Sequence, residues 1–405
     1  MTTEVEALLA RLEDEPDDVG AYLVLADALM VAGDPRAELI QLSLGLELPA
    51  QRGADFDLWI AAARRRALIA KERNAILGRL ANKNVSLDYR LGFLDAITAR
   101  GPAAGASVAA VLRAPEARLL RSITTRFEGR DGDAQTMLEL AAALPVPRAL
   151  RRLSLEVDRA HAPDNPADEH SLPHIAMYRS HVTHPRRGRR APEARPSLDD
   201  VSTVLTVFPN LTELVVDLGL ASLAWAPLRS PHLRRFTWVT PYADPREVVP
   251  IAASELPALE AFTMWVGARH VARGAQDDAP PLDRALGAIE LAPVIAMLER
   301  CPALRELGLC NVGHAFGEIA AVLAASPMLA HVEVLDLTLC DLFEHRSDVL
   351  AIVRAAPRLA RIRVSGAALP DAVVAELAAR VTVEGNHDNY RPSALARYRH
   401  VHEPW

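Results

Sequence analysis

The sequence predicts an α/β protein in which an N-terminal helical module precedes an irregular solenoid of parallel strands and outer helices. Two patterns carry this prediction: apolar residues at helical spacing near the N-terminus, and a short Pro-x-Leu element that recurs along the second half of the chain. The segments between the repeats are apolar on one side, as helices that pack on a sheet are. Stacked strand–helix units of this kind bury a continuous apolar core between their two layers.

Composition limits the class of protein before any motif is considered. The chain has 405 residues, of which 50% are hydrophobic and 24% are charged, enough to build packed cores. Its apolar runs stop short of the roughly 20 residues that a membrane helix needs, and the N-terminus lacks the pattern of a signal peptide. A net charge of −7 argues against a general nucleic-acid binder. We therefore expect a cytoplasmic protein that neither enters a membrane nor binds nucleic acid.

Two residue types exclude particular sites. Lys71 and Lys83 are the only lysines, and neither lies in a Gly-Lys-Ser/Thr sequence, so a nucleotide-binding phosphate loop is excluded. The three cysteines form no CxxC pair, which argues against a disulfide framework and against a zinc knuckle. We expect Cys301, Cys310 and Cys340 to be small buried residues, and we predict no cofactor.

The helical module is clearest from Pro16 to Leu44, where the sequence reads PDDVGAYLVLADALMVAGDPRAELIQLSL. Gly33 suits the left-handed residue that ends a helix, and Asp34-Pro35 supplies an N-cap followed by a proline at the first helical position. Asp34 is expected to accept hydrogen bonds from free amides of the next helix, while Arg36 and Glu38 face solvent or pair locally. A helical corner therefore accounts for these charges without catalysis.

The same stretch resembles a known family. YLVLADALMVAGDPRAELIQL, RRRALIAKERNAILGRL (Arg64 to Leu80) and YRLGFLDAITARG (Tyr89 to Gly101) are together similar to the repeat-companion domain of bacterial proteins. That domain is a short helical module found ahead of leucine-rich repeats, and no chemistry is established for it. The resemblance implies an architecture and an association with repeats, not a reaction.

Eight segments carry the strand pattern of the repeats. In six of them a proline and one further residue precede Leu-x-x-Φ-x-Φ, where Φ is apolar, as in FPNLTELVV from Phe208 and CPALRELGL from Cys301. Their prolines, at positions 209, 231, 257, 302, 327 and 357, are 22, 26, 45, 25 and 30 residues apart. Two earlier segments, LLRSITTRF from Leu119 and ALRRLSLEV from Ala149, fit without the proline.

Apart from the 45-residue step, these spacings resemble leucine-rich repeats of the strand-plus-helix kind. Such repeats often place Asn or Cys three residues after the last strand leucine, where its side chain bonds the neighbouring backbone. In this chain five of the corresponding positions hold other residues: Gly219, Pro241, Gly267, Val312 and Ala367. Only Cys340 fits the pattern, and it does so if the repeat register there is shifted by three residues. We therefore expect a helical module in residues 1–84, an irregular array in residues 85–385 and a C-terminal tail in residues 386–405.

Strand alternation divides the side chains of the repeats between two faces. Leu211, Leu214 and Val216, with their equivalents, are expected to point into the core, and the residues between them to face the open, concave side. Arg and Trp anchor many interfaces, so we predict that this open face binds another protein. The predicted partner-binding residues are Arg126, Arg152, Glu213, Asp217, Arg235, Trp265, Glu306, Asp336, Arg361 and Arg363, with Glu156 in the same row.

Trp265 is the main anchor that the sequence predicts. It follows Met264, the final inward residue of its strand, so alternation places its indole on the open face, with Arg235 one strand before and Glu306 one strand after. Trp238 takes an inward position by the same count. The sequence thus predicts that replacing Trp265 with alanine spares stability and weakens partner binding.

The repeat pattern is absent from residues 158–198, where prolines, an arginine cluster and five of the 13 histidines occur. We expect a mobile insertion loop there, cut first by proteases near Arg186 to Arg190, because it cannot bury enough apolar surface to offset its ordering entropy. Some of its histidines could supply metal ligands: His170, His174, His181 and His184.

Two hypotheses of function follow. The chain has no Gly-x-Ser-x-Gly elbow, no His-Glu-x-x-His and no dinucleotide fingerprint, so we predict no catalytic residue and expect a non-catalytic scaffold that recognises another protein. The alternative is a metal-dependent enzyme or sensor centred on the insertion at residues 158–198.

Overall fold

The structure, a computed structural model, describes residues 3–48, 57–81, 83–127, 133–157, 199–217, 223–240, 245–266, 288–310, 312, 316–338, 340, 342, 345–364 and 369–385. These residues form two compact units. The first unit comprises the described residues through 157 together with 199–214, and the second comprises the described residues from 215 onward.

Helices open the first unit: α1 (Thr3–Asp14), α2 (Val19–Val31), α3 (Arg36–Glu47) and α4 (Leu58–Leu77). Helix α2 begins at Asp18, whose carboxylate accepts a hydrogen bond from the Ala21 amide at 3.0 Å. Helix α4 begins in the same way, since Asp57 accepts from the amides of Trp59 and Ile60. Both carboxylates satisfy amides that the first turn of a helix leaves without a partner.

The predicted corner between α2 and α3 is present. Gly33 has a φ of 69°, the left-handed conformation that ends a helix. Asp34 accepts from the backbone amide of Arg36 at 2.9 Å and from the Arg36 guanidinium at 2.7 Å. The side-chain hydrogen bond from Arg36 holds the pKa of Asp34 below its usual range, although burial acts in the opposite direction. The local pairing expected of Arg36 is thus confirmed, whereas Glu38 pairs with Arg64 of α4, and Pro35 rather than Asp34 is the N-cap of α3.

Strands of the first unit follow the helices: β1 (Val85–Arg90), β2 (Phe93–Arg100), β3 (Ser122–Phe127) and β4 (Arg152–Val157). Strands β1 and β2 form an antiparallel hairpin, whereas β2, β3 and β4 pair in parallel. Helices α5 (Ala104–Arg113) and α6 (Asp133–Ala142) connect the parallel strands. The unit closes with β5 (Asp199–Asp200), α7 (Val204–Val207) and the start of β6 (Glu213–Asp217).

The helices and the hairpin share one apolar core. Buried side chains of α1, α2 and α3 cluster with Leu91, Phe93 and Leu119. The turn of the hairpin is Leu91-Gly92, with φ values of 46° and 83°, as a two-residue type I′ turn requires. A Cβ atom at Gly92 would lie 2.6 Å from the backbone of Ile40 in α3. The missing side chain of Gly92 therefore lets the hairpin approach α3 closely.

The second unit alternates strands and helices. Its strands are β7 (Leu223–Ala224), β8 (Arg235–Thr240), β9 (Ala261–Val266), β10 (Glu306–Cys310), β11 (Val334–Asp336), β12 (Arg361–Arg363) and β13 (Thr382–Glu384). Its helices are α8 (Pro245–Ala252), α9 (Ala288–Glu299), α10 (Phe316–Ala325), α11 (Arg346–Ala355) and α12 (Asp371–Ala378). Strands β8 to β13 pair with their sequence neighbours in parallel.

The predicted α/β class is confirmed, and the sheet is mostly parallel. Seven of the eight repeat segments form strands, from β3 to β12. The segment around Pro327 instead forms a 3-10 helix at Pro327–Ala330, and β11 begins only at its last residue, Val334. The predicted inward residues Leu211, Leu214 and Val216 are fully buried, as is Trp238. Apolar residues on every second strand position thus build the core, as their period of two predicts.

Cys340 has the role that the repeat pattern predicts for it. Its thiol donates to the backbone carbonyl of Leu309 at 3.0 Å, and so joins neighbouring segments of the second unit. All three cysteines are buried, as expected. The insertion at 158–198, with its candidate metal-ligand histidines and its predicted protease site, and the tail at 386–405 lie outside the described residues. Within those residues, no helix combines the length and apolarity needed to cross a membrane.

Candidate functional site

The first unit carries charged pairs on the strand face away from its core. Arg126 of β3 donates to Glu156 of β4 at 3.1 Å, and the Ser154 hydroxyl donates to the same carboxylate at 2.6 Å. Arg152 lies 3.5 Å from Glu213 at the start of β6. These side chains occupy the outward positions that alternation predicts. Neighbouring strands therefore present opposite charges to one another on this face.

A larger ion-pair network lies on the second unit, centred on Arg363 of β12. Its guanidinium lies 2.7 Å from Glu306, 3.8 Å from Asp336 and 3.1 Å from Glu384. These residues belong to β10, β11, β12 and β13, so one arginine links four consecutive strands. Arg361 adds a contact of 3.6 Å with Glu384. We call Arg235, Glu306, Asp336, Arg361, Arg363 and Glu384 the charged strand face.

Strand register explains why these residues meet. Glu306 of β10 pairs in register with Ala261 of β9 and with Val334 of β11. Val334 in turn pairs with Arg361 of β12, so Glu306 and Arg361 lie at the same level of the sheet. Asp336, Arg363 and Glu384 form the next level, two residues further along their strands. Long side chains reach the diagonal neighbour as well as the direct one, and so Glu306 contacts Arg363 across 57 residues of sequence.

Two arginines of the charged strand face remain open to water. Arg235 and Arg361 are both exposed, whereas Arg363 is half-buried among its carboxylates. Arg235 is level with Ala261, at the same end of the strands as Glu306 and Arg361. The charged strand face thus combines a fixed network with two exposed guanidinium groups.

One member of the network, Glu384, was not predicted from the sequence. Its strand β13, Thr382–Glu384, follows a helix without the Pro-x-Leu element that marks the other repeats. The signal that could have found it is the short alternation VTVEG after an amphipathic helix. A strand at the end of the series thus supplies a carboxylate to Arg363.

The prediction that Trp265 is an exposed anchor is wrong. Its side chain is only 5% exposed and packs in a cluster with Val239 and Cys310. Register places these two residues level with Trp265, while Arg235 and Glu306 are level with Ala261, at the other end of the strand. Alternation decides which face a side chain lies on, but it does not decide whether that face meets water. Trp265 therefore belongs to a buried cluster rather than to a binding surface.

Asp217 is a second correction. The sequence placed it on the open face two residues after Glu213, but its side chain is 1% exposed. Like Trp265, it stands at the C-terminal end of its strand, where outward positions are buried. Outward positions nearer the N-terminal ends of the strands, such as Arg235 and Arg361, stay exposed. The accessible part of the predicted surface is therefore narrower than the sequence indicates.

Metal-ligating side chains and cysteines are the groups of the described residues to consider for chemistry. No group of three or more His, Cys, Asp or Glu side chains among them could hold a metal ion. Burial raises the pKa of the Cys301 thiol to about 11, and it also raises the pKa of the Cys310 thiol well above its usual value. Both are therefore protonated thiols at neutral pH, which are poor nucleophiles.

Comparison with known proteins supports the fold alone. No family model matches the chain, and no curated protein matches it. Among solved structures, the chain is similar to the crystal structure of a Bacteroides fragilis protein that was a structural genomics target. The two chains are 17% identical and align with a TM-score of 0.50 over 82% of this chain and 84% of the other. At this identity the likeness concerns architecture.

Proposed function

We propose that the chain is a non-catalytic recognition protein that binds another protein through the charged strand face. In this proposal it is a leucine-rich-repeat-like solenoid behind a helical module of the repeat-companion kind. The observation that carries the proposal is the network around Arg363, which fixes charged groups from four neighbouring strands in one arrangement. A surface whose charges are already ordered loses less side-chain entropy when a partner binds.

The balance of charge favours a protein partner. The charged strand face has three arginines and three carboxylates, so its formal charge is close to zero. A surface for nucleic acid would need an excess of cations, because phosphate contacts supply most of that affinity. Mixed charges instead suit a partner protein whose surface carries both positive and negative groups, because complementary charge patterns determine which protein binds. The cytoplasmic location stays a prediction from the sequence.

Reversing the two exposed charges of this face should weaken the association. We expect the double variant Arg235→Glu, Arg361→Glu to fold normally, because both side chains are exposed and the ion pair between Arg361 and Glu384 is weak. The partner should bind it roughly 10- to 100-fold more weakly, since like charges then oppose each other across the interface. The measurement is quantitative affinity capture from the native organism, followed by titration of the purified partner.

The matched control reverses two arginines outside the strands. Arg354 lies in the last turn of α11 and Arg380 follows α12, and both are exposed. The double variant Arg354→Glu, Arg380→Glu changes the net charge equally and should keep wild-type affinity. If the control variant loses the partner while the strand variant retains it, binding occurs at the helical surface and the proposal is wrong.

A further inference from the structure

The first unit contains a cavity of about 900 Å³ whose lining includes residues of α1, the α2–α3 corner, α4 and the segment that follows α5. Most of its wall is apolar, with Leu9 from α1, Leu39 from α3, Leu68 from α4 and Leu112 from α5. Cavities of roughly 300–1,000 Å³ with apolar walls and a few polar groups are typical of sites for small organic molecules. The charged groups of the lining therefore decide which molecule fits.

The cations of the lining are either paired or directed to solvent. Arg36 is held by both carboxylate oxygens of Asp34, and Arg118 pairs with Glu13 and Glu6. The remaining cations occupy exposed positions, where water and salt screen their charge: Lys71, Arg113 and Arg148. None of these groups leaves an uncompensated positive charge on the inner wall.

Two carboxylates of the lining, those of Glu72 in α4 and of Glu116, are half-buried rather than exposed to solvent. The Oε2 atom of Glu72 and the hydroxyl oxygen of Tyr89 are both fully buried, and this hydroxyl is a donor to the Glu72 carboxylate. Burial, and then repulsion from Glu116, raises the pKa of Glu72 to about 7, although the hydrogen bond from Tyr89 and the charge of Arg36 act in the opposite direction. Arg36 is itself held by Asp34, so Glu72 has no ion pair of its own among the described residues.

We propose that this cavity binds an organic cation, a primary amine on an apolar body, whose ammonium group pairs with the carboxylates of Glu72 and Glu116. The ammonium group supplies three donors, enough for the carboxylates of both glutamates. The leucine side chains cover the apolar body. This site is independent of the strand face and of the partner proposed for it.

The site should respond to pH because Glu72 must be ionised to pair with an ammonium group. In the free protein Glu72 titrates near pH 7, in the field of Glu116, Asp34, Arg36 and Tyr89. An alkyl amine stays protonated across this range, since its pKa lies near that of lysine, about 10.4. Affinity should therefore be about tenfold weaker at pH 6 than at pH 8, because only the ionised fraction binds.

Fluorescence titration of the full chain with dansylcadaverine tests the proposal. This probe has a naphthalene body and a primary amine on a five-carbon chain, and its emission increases in apolar surroundings. We expect it to bind at pH 8, whereas its N-acetylated derivative, which has lost the charge, should bind at least about tenfold more weakly. Glu72→Gln should reduce the affinity for the amine by about tenfold, remove its pH dependence, and leave the derivative unaffected.

A matched carboxylate outside the cavity supplies the control. Glu139 is exposed on α6, and Glu139→Gln should bind the amine like the wild-type protein. Glu116→Gln is a second lining variant, expected to weaken binding even if Glu72→Gln fails to fold. The proposal is overturned if neither probe binds, if the acetylated derivative binds as tightly as the amine, or if both lining variants keep wild-type affinity.

Discussion

Trp265→Ala should destabilise the second unit by about 3–5 kcal/mol, the usual cost of replacing a buried tryptophan with alanine. The indole lies in a buried cluster with Val239 and Cys310, and alanine would leave a cavity between strands β8, β9 and β10. Strand register fixes the positions of these neighbours, which limits how far the cluster can collapse to fill the space. Urea denaturation followed by far-UV circular dichroism measures the change without depending on tryptophan emission.

Trp59→Ala is the matched control for this substitution. Trp59 in the first turn of α4 is 85% exposed, so its removal should change the free energy of unfolding by less than about 0.5 kcal/mol. If Trp265→Ala proves as mild as Trp59→Ala, the indole faces water after all. That result would support the prediction from the sequence that Trp265 anchors an interface.

Gly92→Ala should be the other strongly destabilising substitution, by about 2–5 kcal/mol. A left-handed φ costs an alanine about 1–2 kcal/mol, and the new methyl group would overlap the backbone of Ile40, which adds about 1–3 kcal/mol. The clashing atoms belong to the main chain of α3, so no side-chain rotation relieves the overlap. Thermal unfolding of the purified variant measures the loss.

Gly33→Ala separates the two contributions. Gly33 also has a positive φ, of 69°, but a Cβ atom there would meet no atom within 4 Å. Gly33→Ala should therefore lower the free energy of unfolding only by the cost of the left-handed φ, about 1–2 kcal/mol. Equal losses at Gly33 and Gly92 would contradict the close approach of the hairpin to α3.

Short-range patterns predicted much of this structure. The period of two in the repeat segments identified the buried positions Leu214 and Val216, and the GDPR turn identified the hydrogen bond that Asp34 accepts from a free amide of the next helix. These features depend on residues a few positions apart, whose geometry the backbone fixes. They therefore appear directly in the sequence.

Features that depend on distant residues were not predictable in this way. The contact between Glu306 and Arg363 requires the register of four strands, and Trp265 is buried by residues of other strands. The cavity of the first unit combines side chains from Leu9 to Arg148, which no local pattern connects. Glu72 lies within a charged helix, and only the folded chain gives it partly buried surroundings.

A photo-crosslink from the strand face tests the central claim most directly. Thr382 is exposed, is level with Arg361 and takes no part in the ion network. With the photoreactive substitution Thr382→p-benzoylphenylalanine, illumination in cells should join the chain covalently to its partner, while Arg354→p-benzoylphenylalanine on α11 should not. Adducts from position 354 and none from position 382 would show that the partner binds elsewhere, and would contradict recognition by the charged strand face.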